Sequence, residues 1–475
     1  MGSTSGLTLT VNEGRGSPTG SSVFDLPTQS AGPHAAPQAQ PALLVTPSDE
    51  TTSYVLISGG TGGNAICSAF GPGACYVLPV SDDGGSSSEI IRVLGGPSIG
   101  DIRSRLVRLI PPAPPASPLD AIRTLLAYRL PGHYSEREAR DEWRDIIEGR
   151  SPLWNGIPAD RKETIRGFLV HFESELLKRA SKNFTFVNGS IGNYFLAAAQ
   201  GFFRSLPASI FLFSSITNSQ ANILPVIVTN HTVTIAAELE NGERLVGQCE
   251  ISHPVASTSA EGSAQPPMSP EDGMGETHTA QRRNVLFEPA SKDAEYQALP
   301  SRISRLFYMN AYGFEIHPTP NADYIASLGS RDVLVYSIGS LWTSIIPCLA
   351  LRGVAAAIAR SRSLRAKILL LNSKNDRETD GYTAVDYIKA IVGTLNAQYR
   401  APSFGLAYGG GANTTFPVSA FITDLVYLKG TQVPVDLRAI MAMGVRCTEV
   451  DGGPKAMFDA AGVKRAVDGI VGLEP

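Results

Sequence analysis

The chain lacks several features that would point to common classes of protein. Its 40 Lys and Arg residues do not outnumber its 44 Asp and Glu residues, so no excess of positive charge is available for a nucleic-acid surface. The five cysteines contain no CxxC pair and the seven histidines form no HExxH motif, which disfavours a disulfide framework and a His-based metal site. No run of about eighteen apolar residues is present, as a membrane-spanning helix would need. We therefore expect a cytoplasmic protein that binds neither nucleic acid nor membranes.

Two segments of the 475-residue chain have the composition of disordered polypeptide. Residues 1–50 are rich in Ser, Thr, Gly, Pro, Ala and Gln, and they contain neither the apolar stretch of a secretory signal nor the arginines of a transit peptide. Residues from about 254 to 293 are similarly polar. We therefore expect a disordered tail at 1–50 and one α/β domain at 51–475, with a helical insertion at about 133–185 and a flexible insertion at about 254–293.

Strand-like and helix-like segments alternate through the remaining chain. Short apolar runs typical of buried parallel strands occur at Tyr54–Ser58, Cys75–Val80, Val333–Ser337, Ile368–Asn372 and Ala420–Tyr427. Asn241-Gly242 between two alternating runs predicts a β-hairpin. Capping-box spacing and periodicity predict helices that begin at Ser135 and Asp160 and helices at Ser344–Arg360 and Ala384–Leu395. This alternation predicts an α/β fold with a mostly parallel sheet and helices on both faces.

A glycine-rich turn follows the first strand in the sequence VLISGGTGGNAICSAF. Its glycines allow the backbone to approach a ligand closely, and its polar side chains offer hydrogen bonds; these residues are Gly59, Gly60, Thr61, Gly62, Gly63 and Asn64. A helix after the turn would direct its N-terminal N–H groups at a bound diphosphate. The turn lacks the full GxGxxG pattern and the GK[ST] of a P-loop NTPase. A connection that serves only chain geometry is the alternative.

An acidic, glycine-rich segment follows the second strand. Asp82 and Asp83 lie about twenty positions after the glycine turn, where dinucleotide-binding folds place the acid that accepts ribose hydroxyls. With two adjacent carboxylates, one would take the ribose and the other would hold a Mg²⁺ ion that bridges phosphates. Gly85 and Ser86 add a donor-rich loop, and Asp101 and Arg103 begin the next helical run, where Arg103 would contact a phosphate. An Asx-turn with helix caps is the alternative.

Further polar residues lie where strands end or helices begin. Asn193 opens an apolar helical run, and Ser340 and Thr343 open another, so both positions suit either an anion or simple N-capping. Asn372 ends a predicted strand, at the edge where open α/β sheets bind ligands. Tyr382 lies in a charged loop that would cover the ligand.

Seven collinear segments resemble the CofD/UPF0052 family: ISGGTGGNA, VSDDGGSSS, GPSIGDIRSRLVRL, NGSIGNYFLAAA, ANILPV, IGSLWTSIIPCLALRGVAAAI and NSKNDRETDGYTAVDYIKAI. The family contains 2-phospho-L-lactate transferases of coenzyme F420 synthesis and bacterial gluconeogenesis/morphogenesis factors that look like UDP-sugar-binding regulators. The Asp-Asp-Gly-Gly-Ser-Ser, Gly-Asp-Ile-Arg and Glu-Thr-Asp-Gly-Tyr-Thr forms match the regulators more closely. The glycine turn and the segment that contains Asn222 are similar to the transferases. Two departures are the absence of the regulators' usual His before Ser190 and the presence of Trp342 in place of their usual Tyr.

The resemblance implies a Rossmann-like core that binds a nucleotide-diphospho ligand across the carboxyl ends of the strands. The predicted ligand contacts are Gly59, Gly60, Thr61, Gly62, Asn64, Gly85, Ser86, Asp101, Arg103, Asn193, Asn222, Ser340, Thr343, Asn372 and Tyr382, and the predicted catalytic and Mg²⁺-binding residues are Asp82 and Asp83. The activity implied is Mg²⁺-assisted transfer of a phospholactyl-type group from the nucleotide-diphospho donor to an acceptor hydroxyl. A non-catalytic UDP-sugar or dinucleotide-binding regulator of carbon metabolism or cell-wall growth, and a nicotinamide-dependent dehydrogenase, are the alternatives. We expect a homo-oligomer.

Overall fold

The structure is a computed structural model that describes residues 52–59, 62–179, 182–220, 222–253, 297–310, 312–397, 414–453 and 457–472. The predicted tail at 1–50 and the predicted flexible insertion at about 254–293 lie outside the described residues. So do Gly60 and Thr61 of the predicted glycine turn. The helical insertion predicted at about 133–185 contains two long helices, given below.

The described strands form two sheets. In chain order the strands are β1 (Tyr54–Ile57), β2 (Cys75–Leu78), β3 (Asn222–Pro225), β4 (Thr234–Leu239), β5 (Arg244–Val246), β6 (Ile303–Met309), β7 (Glu315–Ile316), β8 (Val333–Tyr336), β9 (Ala366–Leu370), β10 (Asp424–Leu428) and β11 (Arg446–Val450). Seven of them build an all-parallel sheet in the order β11-β10-β9-β8-β1-β2-β3. The other four build a smaller antiparallel sheet in the order β5-β4-β6-β7.

The described α-helices surround these sheets. They are α1 (Gly85–Leu94), α2 (Gly100–Arg108), α3 (Pro118–Ala127), α4 (Glu136–Ile147), α5 (Ala159–Leu177), α6 (Ile191–Phe203), α7 (Leu206–Thr217), α8 (Gln248–Ser252), α9 (Ala322–Ser330), α10 (Ile346–Leu349), α11 (Val354–Ala359), α12 (Ala384–Leu395), α13 (Leu437–Ala442) and α14 (Ala460–Val471). None of the described helices is both long and apolar enough to span a bilayer.

The central strands are short and apolar because helices cover both faces of the large sheet. All four residues of β1 and all four of β8 are buried, as expected for strands with no solvent-facing side. The prediction of an α/β fold with a mostly parallel sheet is thereby confirmed. The strand order reverses at β1, which pairs with β2 on one side and with β8 on the other. Ligands of open α/β sheets bind at such a switch point, outside the carboxyl ends of the strands.

The predicted hairpin is the β4–β5 pair of the smaller sheet. Glu238 pairs with Arg244 across the turn, and Gly242 has φ of +86°, a conformation that favours glycine over residues with a side chain. The long partner strand β6 of this sheet was not predicted. Its alternation is interrupted because four consecutive residues at its end, Leu306–Met309, are all buried.

The two helices of the predicted insertion pack against α6 through aromatic rings. Trp143 of α4 and Phe172 of α5 both contact Tyr194 of α6, with ring centroids 5.3 and 4.6 Å apart. This packing fixes the first turn of α6, where Asn193 lies. Ser135 forms the predicted capping box, but α5 begins at Ala159 after Pro158, one residue before the predicted cap.

The single helix predicted at Ser344–Arg360 is broken into three pieces. A π-helical turn at Leu341–Ile345 precedes α10, and α11 begins after Gly353, which has φ of +90°. Pro347 lies in the first turn of α10, and the left-handed Gly353 cannot continue a right-handed helix. The Trp342 and Thr343 amides of the π-helical turn donate to Glu378 in the segment after β9.

Candidate functional site

A cavity of about 490 Å³ lies at the carboxyl edge of the large sheet, around the switch point. Gly59 and Gly62 line it from the turn after β1, Ser340 lines it from the segment after β8, and Asn372 lines it from the segment after β9. These four predicted residues therefore meet, although they are far apart in sequence. The other wall residues include Gln248, Ser252, His253, Lys374, Asp376 and Glu378.

The glycine turn is closely packed from beneath. After it the chain forms a 3₁₀ helix, Gly62–Phe70, rather than the α-helix typical of this motif. A Cβ atom on Gly63 would lie 2.5 Å from the Ser58 hydroxyl and 2.8 Å from an Arg105 nitrogen, so only glycine fits there. The side chain of Asn64 donates to the Ser104 hydroxyl at 3.0 Å, and its oxygen is buried without a partner among the described residues.

The acidic loop after β2 lies at the same edge of the sheet. β1 and β2 run parallel in register, and the Ser58 amide donates to the Val77 carbonyl at 3.1 Å, so the segments that follow them are neighbours. The Asp82 carboxylate accepts the Gly84 amide at 2.9 Å. Burial, Asp101 and Asp83 together raise the pKa of Asp82 to about 8, against the opposing Gly84 hydrogen bond. The fold thus favours the protonated, neutral form of Asp82 at neutral pH.

Whether Asp82 and Asp83 fit a Mg²⁺ ion depends on how many of its ligands the protein would have to supply. No group of three or more His, Cys, Asp or Glu side chains among the described residues is placed to hold a metal alone. Mg²⁺ commonly takes one or two carboxylates and completes its shell with water and substrate phosphates. Asp82 and Asp83 would supply two carboxylates, which already accept the Gly84 and Cys249 amides, and burial favours the protonated form of Asp82. A metal ion held by these two side chains would therefore have to take its remaining ligands from substrate phosphates and water.

Three predicted residues form a hydrogen-bonded chain beside this loop. The Asn193 side-chain nitrogen Nδ2 donates to the Ser86 hydroxyl at 2.8 Å, and Arg103 Nε donates to the Asn193 side-chain oxygen at 3.0 Å. The Asn193 side chain thus links α1, which begins at Gly85, to α2, which begins at Gly100. Burial, followed by the charge of Arg129, lowers the pKa of Arg103 to about 10. Arg103 faces Asn193 and Gly192, and no described contact joins it to the glycine turn.

The short helix α8 connects the acidic loop with the cavity. Its Cys249 amide donates to the Asp83 carboxylate at 2.8 Å, while Gln248, Ser252 and the adjacent His253 line the cavity wall. The pKa of His253 is lowered by burial and by Arg377, and raised less strongly by Asp83. A ligand in the cavity would therefore lie next to the helix that Asp83 holds.

The amides predicted to bind an anion after β8 are already occupied by a protein carboxylate. Glu378 Oε2 accepts the Trp342 and Thr343 amides at 2.9 and 3.1 Å, and its Oε1 accepts the Thr343 and Ser252 hydroxyls, each at 2.6 Å. Burial, then Asp376, raises the pKa of Glu378 to about 7. The structure thus does not offer Thr343 to a ligand, because Glu378 caps this helix instead.

Two other predicted contacts lie away from the cavity. The Tyr382 hydroxyl accepts Trp342 Nε1 at 3.2 Å, and Tyr382 faces a second cavity of about 940 Å³ between β6 and α12. Asn222 is the first residue of β3 and pairs with Cys75 at the start of β2, so it lies at the amino edge of the sheet. The structure therefore does not bring Asn222 to the cavity where the other predicted residues meet. Asn372 lines the cavity, with its carboxamide bonded to both the carbonyl and the amide of Gly339.

This chain is similar to a known protein family and to several known proteins. The family model described as 2-phospho-L-lactate transferase CofD matches residues 54–451. The chain belongs to the CofD family. It is 36% identical over 440 residues to a Saccharomyces cerevisiae protein described as uncharacterized, covering 85% of this chain and 96% of that one. It is 23% identical over 343 residues to the gluconeogenesis factor of Halalkalibacterium halodurans, covering 72% and 73% of the two chains.

A solved structure shares the fold. The crystal structure of a UPF0052 family member from Bacillus halodurans superposes with a TM-score of 0.56 at 19% identity. The match covers 88% of this chain and 99% of that chain. The predicted resemblance to this family is therefore confirmed, and so is the predicted α/β fold class.

Several wall residues of this CofD family site were not predicted. Gln248, Ser252 and His253 follow the hairpin without any recognisable motif, so the sequence carried no local signal for them. Arg105 does not line the cavity but contacts Gly63 and Ser58 beside it. It carries a sequence signal, because it follows Asp101 by four positions and so shares its helix face, whereas Arg103 does not. Asp101 and Arg105 are both buried, with 8% and 1% of their surface exposed.

Proposed function

We propose that this CofD family protein binds a nucleotide-diphospho ligand at the carboxyl edge between β1 and β8. The observation that supports the proposal is the meeting of the glycine turn, the Ser340 segment and Asn372 around one cavity at the switch point. The diphosphate would lie against the backbone of the turn. The acidic loop would stand beside it, with Asp82 and Asp83 holding a bridging Mg²⁺. The volume of about 490 Å³ is within the range of small-molecule sites.

The reaction we propose is transfer of a phospholactyl-type group. An acceptor hydroxyl forms a new O–P bond to the phosphorus that carries the transferred group, the bridging P–O bond breaks, and the nucleoside monophosphate leaves with its electron pair. The acceptor proton passes to the solvent. A bound Mg²⁺ would supply charge neutralisation. The chain's own residues would orient the diphosphate through the turn and limit access of water through the α8 wall, and such positioning is most of what phosphoryl transfer needs.

A second candidate is a regulator that binds the same ligand class without turnover. The relatives named gluconeogenesis factors favour it. The capped helix after β8 also favours it, because Glu378 removes one pair of amides that could have stabilised a transition state. In this case a UDP-sugar or dinucleotide would bind and change the interactions of the protein with a partner.

Calorimetric titration of the full chain with GDP, UDP-sugars and NAD, with and without Mg²⁺, tests the proposal. The transferase function predicts binding of a guanine nucleotide that strengthens with Mg²⁺. The regulator predicts uridine selectivity and no product after prolonged incubation. Failure of every nucleotide to bind would refute both functions.

Paired variants sharpen the same experiment. Asp83→Asn should abolish the Mg²⁺-dependent part of the affinity, while Asp141→Asn on the exposed face of α4 should leave it unchanged. Asp141 is a suitable control because it is 54% exposed and only pairs with Arg137 and Arg144. Equal Mg²⁺ dependence in the Asp83 variant and the wild type would exclude Asp83 as a metal ligand.

A further inference from the structure

Arg105 is a buried cation directly beneath the glycine turn. It belongs to α2, and 1% of its surface is exposed. One guanidinium nitrogen donates to the Ser58 hydroxyl at 2.7 Å, and the other approaches the Gly63 carbonyl at 3.4 Å and the Cys67 sulfur at 2.7 Å. The guanidinium also lies over the Tyr76 ring, 4.9 Å from its centroid. None of these neighbours is a carboxylate.

The charge of Arg105 has no counter-ion within the described chain. No carboxylate of the described residues lies within ion-pair distance of it, whereas other buried charged groups such as Asp424 are paired. Its Nε and the nearby Ser337 hydroxyl are buried without hydrogen-bond partners among the described residues. A buried ion is costly unless an opposite charge compensates it. Arg105 thus makes no ion pair with a described carboxylate under this turn, and Asp101 is the acidic residue on the same face of α2.

The described ends of the turn contact the guanidinium through Ser58 and Gly63 and line the cavity through Gly59 and Gly62. Ser58 immediately precedes Gly59, and Gly63 immediately follows Gly62, and both of those glycines line the cavity. A Cβ atom on Gly63 would lie 2.8 Å from an Arg105 nitrogen, so the guanidinium is in contact with the turn itself. Arg103, which the sequence suggested for phosphate contact, points instead to Asn193.

We propose that Arg105 is the positioning residue that selects a diphosphate for this site. Its guanidinium supports the turn through Gly63 and Ser58, and its charge attracts a polyanion on the other side of the backbone. It does not touch the ligand. The inference rests on the proposed function for the location of the ligand, and it adds the selection of diphosphate over less charged groups. Because the attraction is Coulombic in a poorly solvated region, it grows with the charge of the ligand.

The test measures how affinity depends on ligand charge. Full-length wild type, R105Q and R108Q are titrated, without Mg²⁺, with a nucleoside, its monophosphate, its diphosphate and inorganic pyrophosphate. Arg108 is the matched control because it lies on the same helix and donates to the Asn64 carbonyl at 2.8 Å, yet it is exposed. We expect R105Q to weaken diphosphate and pyrophosphate binding about tenfold or more, the monophosphate less, and the nucleoside hardly at all. R108Q should preserve the wild-type ranking.

The outcomes separate this inference from the proposed function. Equal weakening of all four ligands in R105Q would indicate a merely structural role and overturn the inference, as would unchanged affinities. If pyrophosphate binds in an Arg105-dependent way but no nucleotide or nucleoside binds, the inference stands and the proposed function fails. If nucleotides bind to wild type and R105Q with identical affinity, the inference fails and the proposed function stands.

A second variant carries the test if R105Q does not fold. R105K keeps a positive charge, and burial lowers the pKa of a lysine at this position. Raising the pH from about 7 to about 10 should then reduce the preference for diphosphate in R105K but not in the wild type. A preference that falls equally in both proteins, or in neither, would contradict the inference.

Discussion

Replacing Glu378 by glutamine should raise the stability of the protein at neutral pH. Glu378 is 2% exposed, and burial, then Asp376, raises its pKa from 4.5 to about 7, against the opposing hydrogen bonds from Ser252, Thr343 and Trp342. A raised carboxyl pKa means that the folded state favours the protonated form. The stabilising contribution is therefore complete below about pH 4.5 and is lost as the pH rises to about 7. At 1.36 kcal/mol per pKa unit, the loss amounts to about 3 kcal/mol.

Glutamine reproduces the protonated side chain without titrating. Its carbonyl oxygen can accept the Trp342 and Thr343 amides, and its NH₂ group can donate to the neighbouring hydroxyls. Urea unfolding of wild type and E378Q between pH 4 and 8 gives the difference in unfolding free energy at each pH. We expect the difference to be small near pH 4 and to favour E378Q by up to about 3 kcal/mol near pH 8. A wild type that is more stable than E378Q at pH 8 would refute this reasoning, because the ionised carboxylate would then stabilise the fold.

Three further predictions concern the fold and the boundary of the site. Asn222→Ala should leave nucleotide affinity unchanged in calorimetry, because Asn222 lies at the amino edge of the sheet, and a severalfold loss would contradict that placement. Phe172→Ala should reduce the unfolding free energy by about 3–5 kcal/mol in urea, because this ring is fully buried among the aromatic residues under α6. Asp424→Asn should cost about 1–2 kcal/mol in the same assay, because it weakens charge-assisted hydrogen bonds between a carboxylate that is 1% exposed and Arg446, which is 67% exposed and stays solvated, and a variant as stable as the wild type would contradict it.

The parts of the fold predicted well from sequence are those where local pattern and burial agree. β1 and β8 are short apolar runs that are buried on both faces, and their predicted bounds extend one residue beyond the observed ends. The helix at Ala384–Leu395 matches its prediction because Thr383 caps it with a local hydrogen-bonding box. The helix predicted at Ser344–Arg360 failed because Pro347 and the left-handed Gly353 interrupt it.

Residues of the site could be predicted only where the local sequence carries a recognisable pattern. Gly59, Ser340 and Asn372 each follow a strand of the parallel sheet at its carboxyl end, so their position after a strand sufficed to bring them to one edge. Glu378 and α8 are different, because their roles depend on contacts across more than a hundred residues, such as Ser252 with Glu378. No short pattern records such a contact. The same reason applies to Arg103. Its charge suggests a phosphate contact, but its side chain faces Asn193.

The location of the bound ligand is the most direct test of the central claim. Hydrogen–deuterium exchange of the full chain, with and without a binding nucleoside diphosphate, reports which amides the ligand protects. The account predicts protection in peptides that cover 58–66, 82–88 and 338–345, and no change at 222–226. Protection confined to 302–308 and 389–395, which line the second cavity, would contradict it.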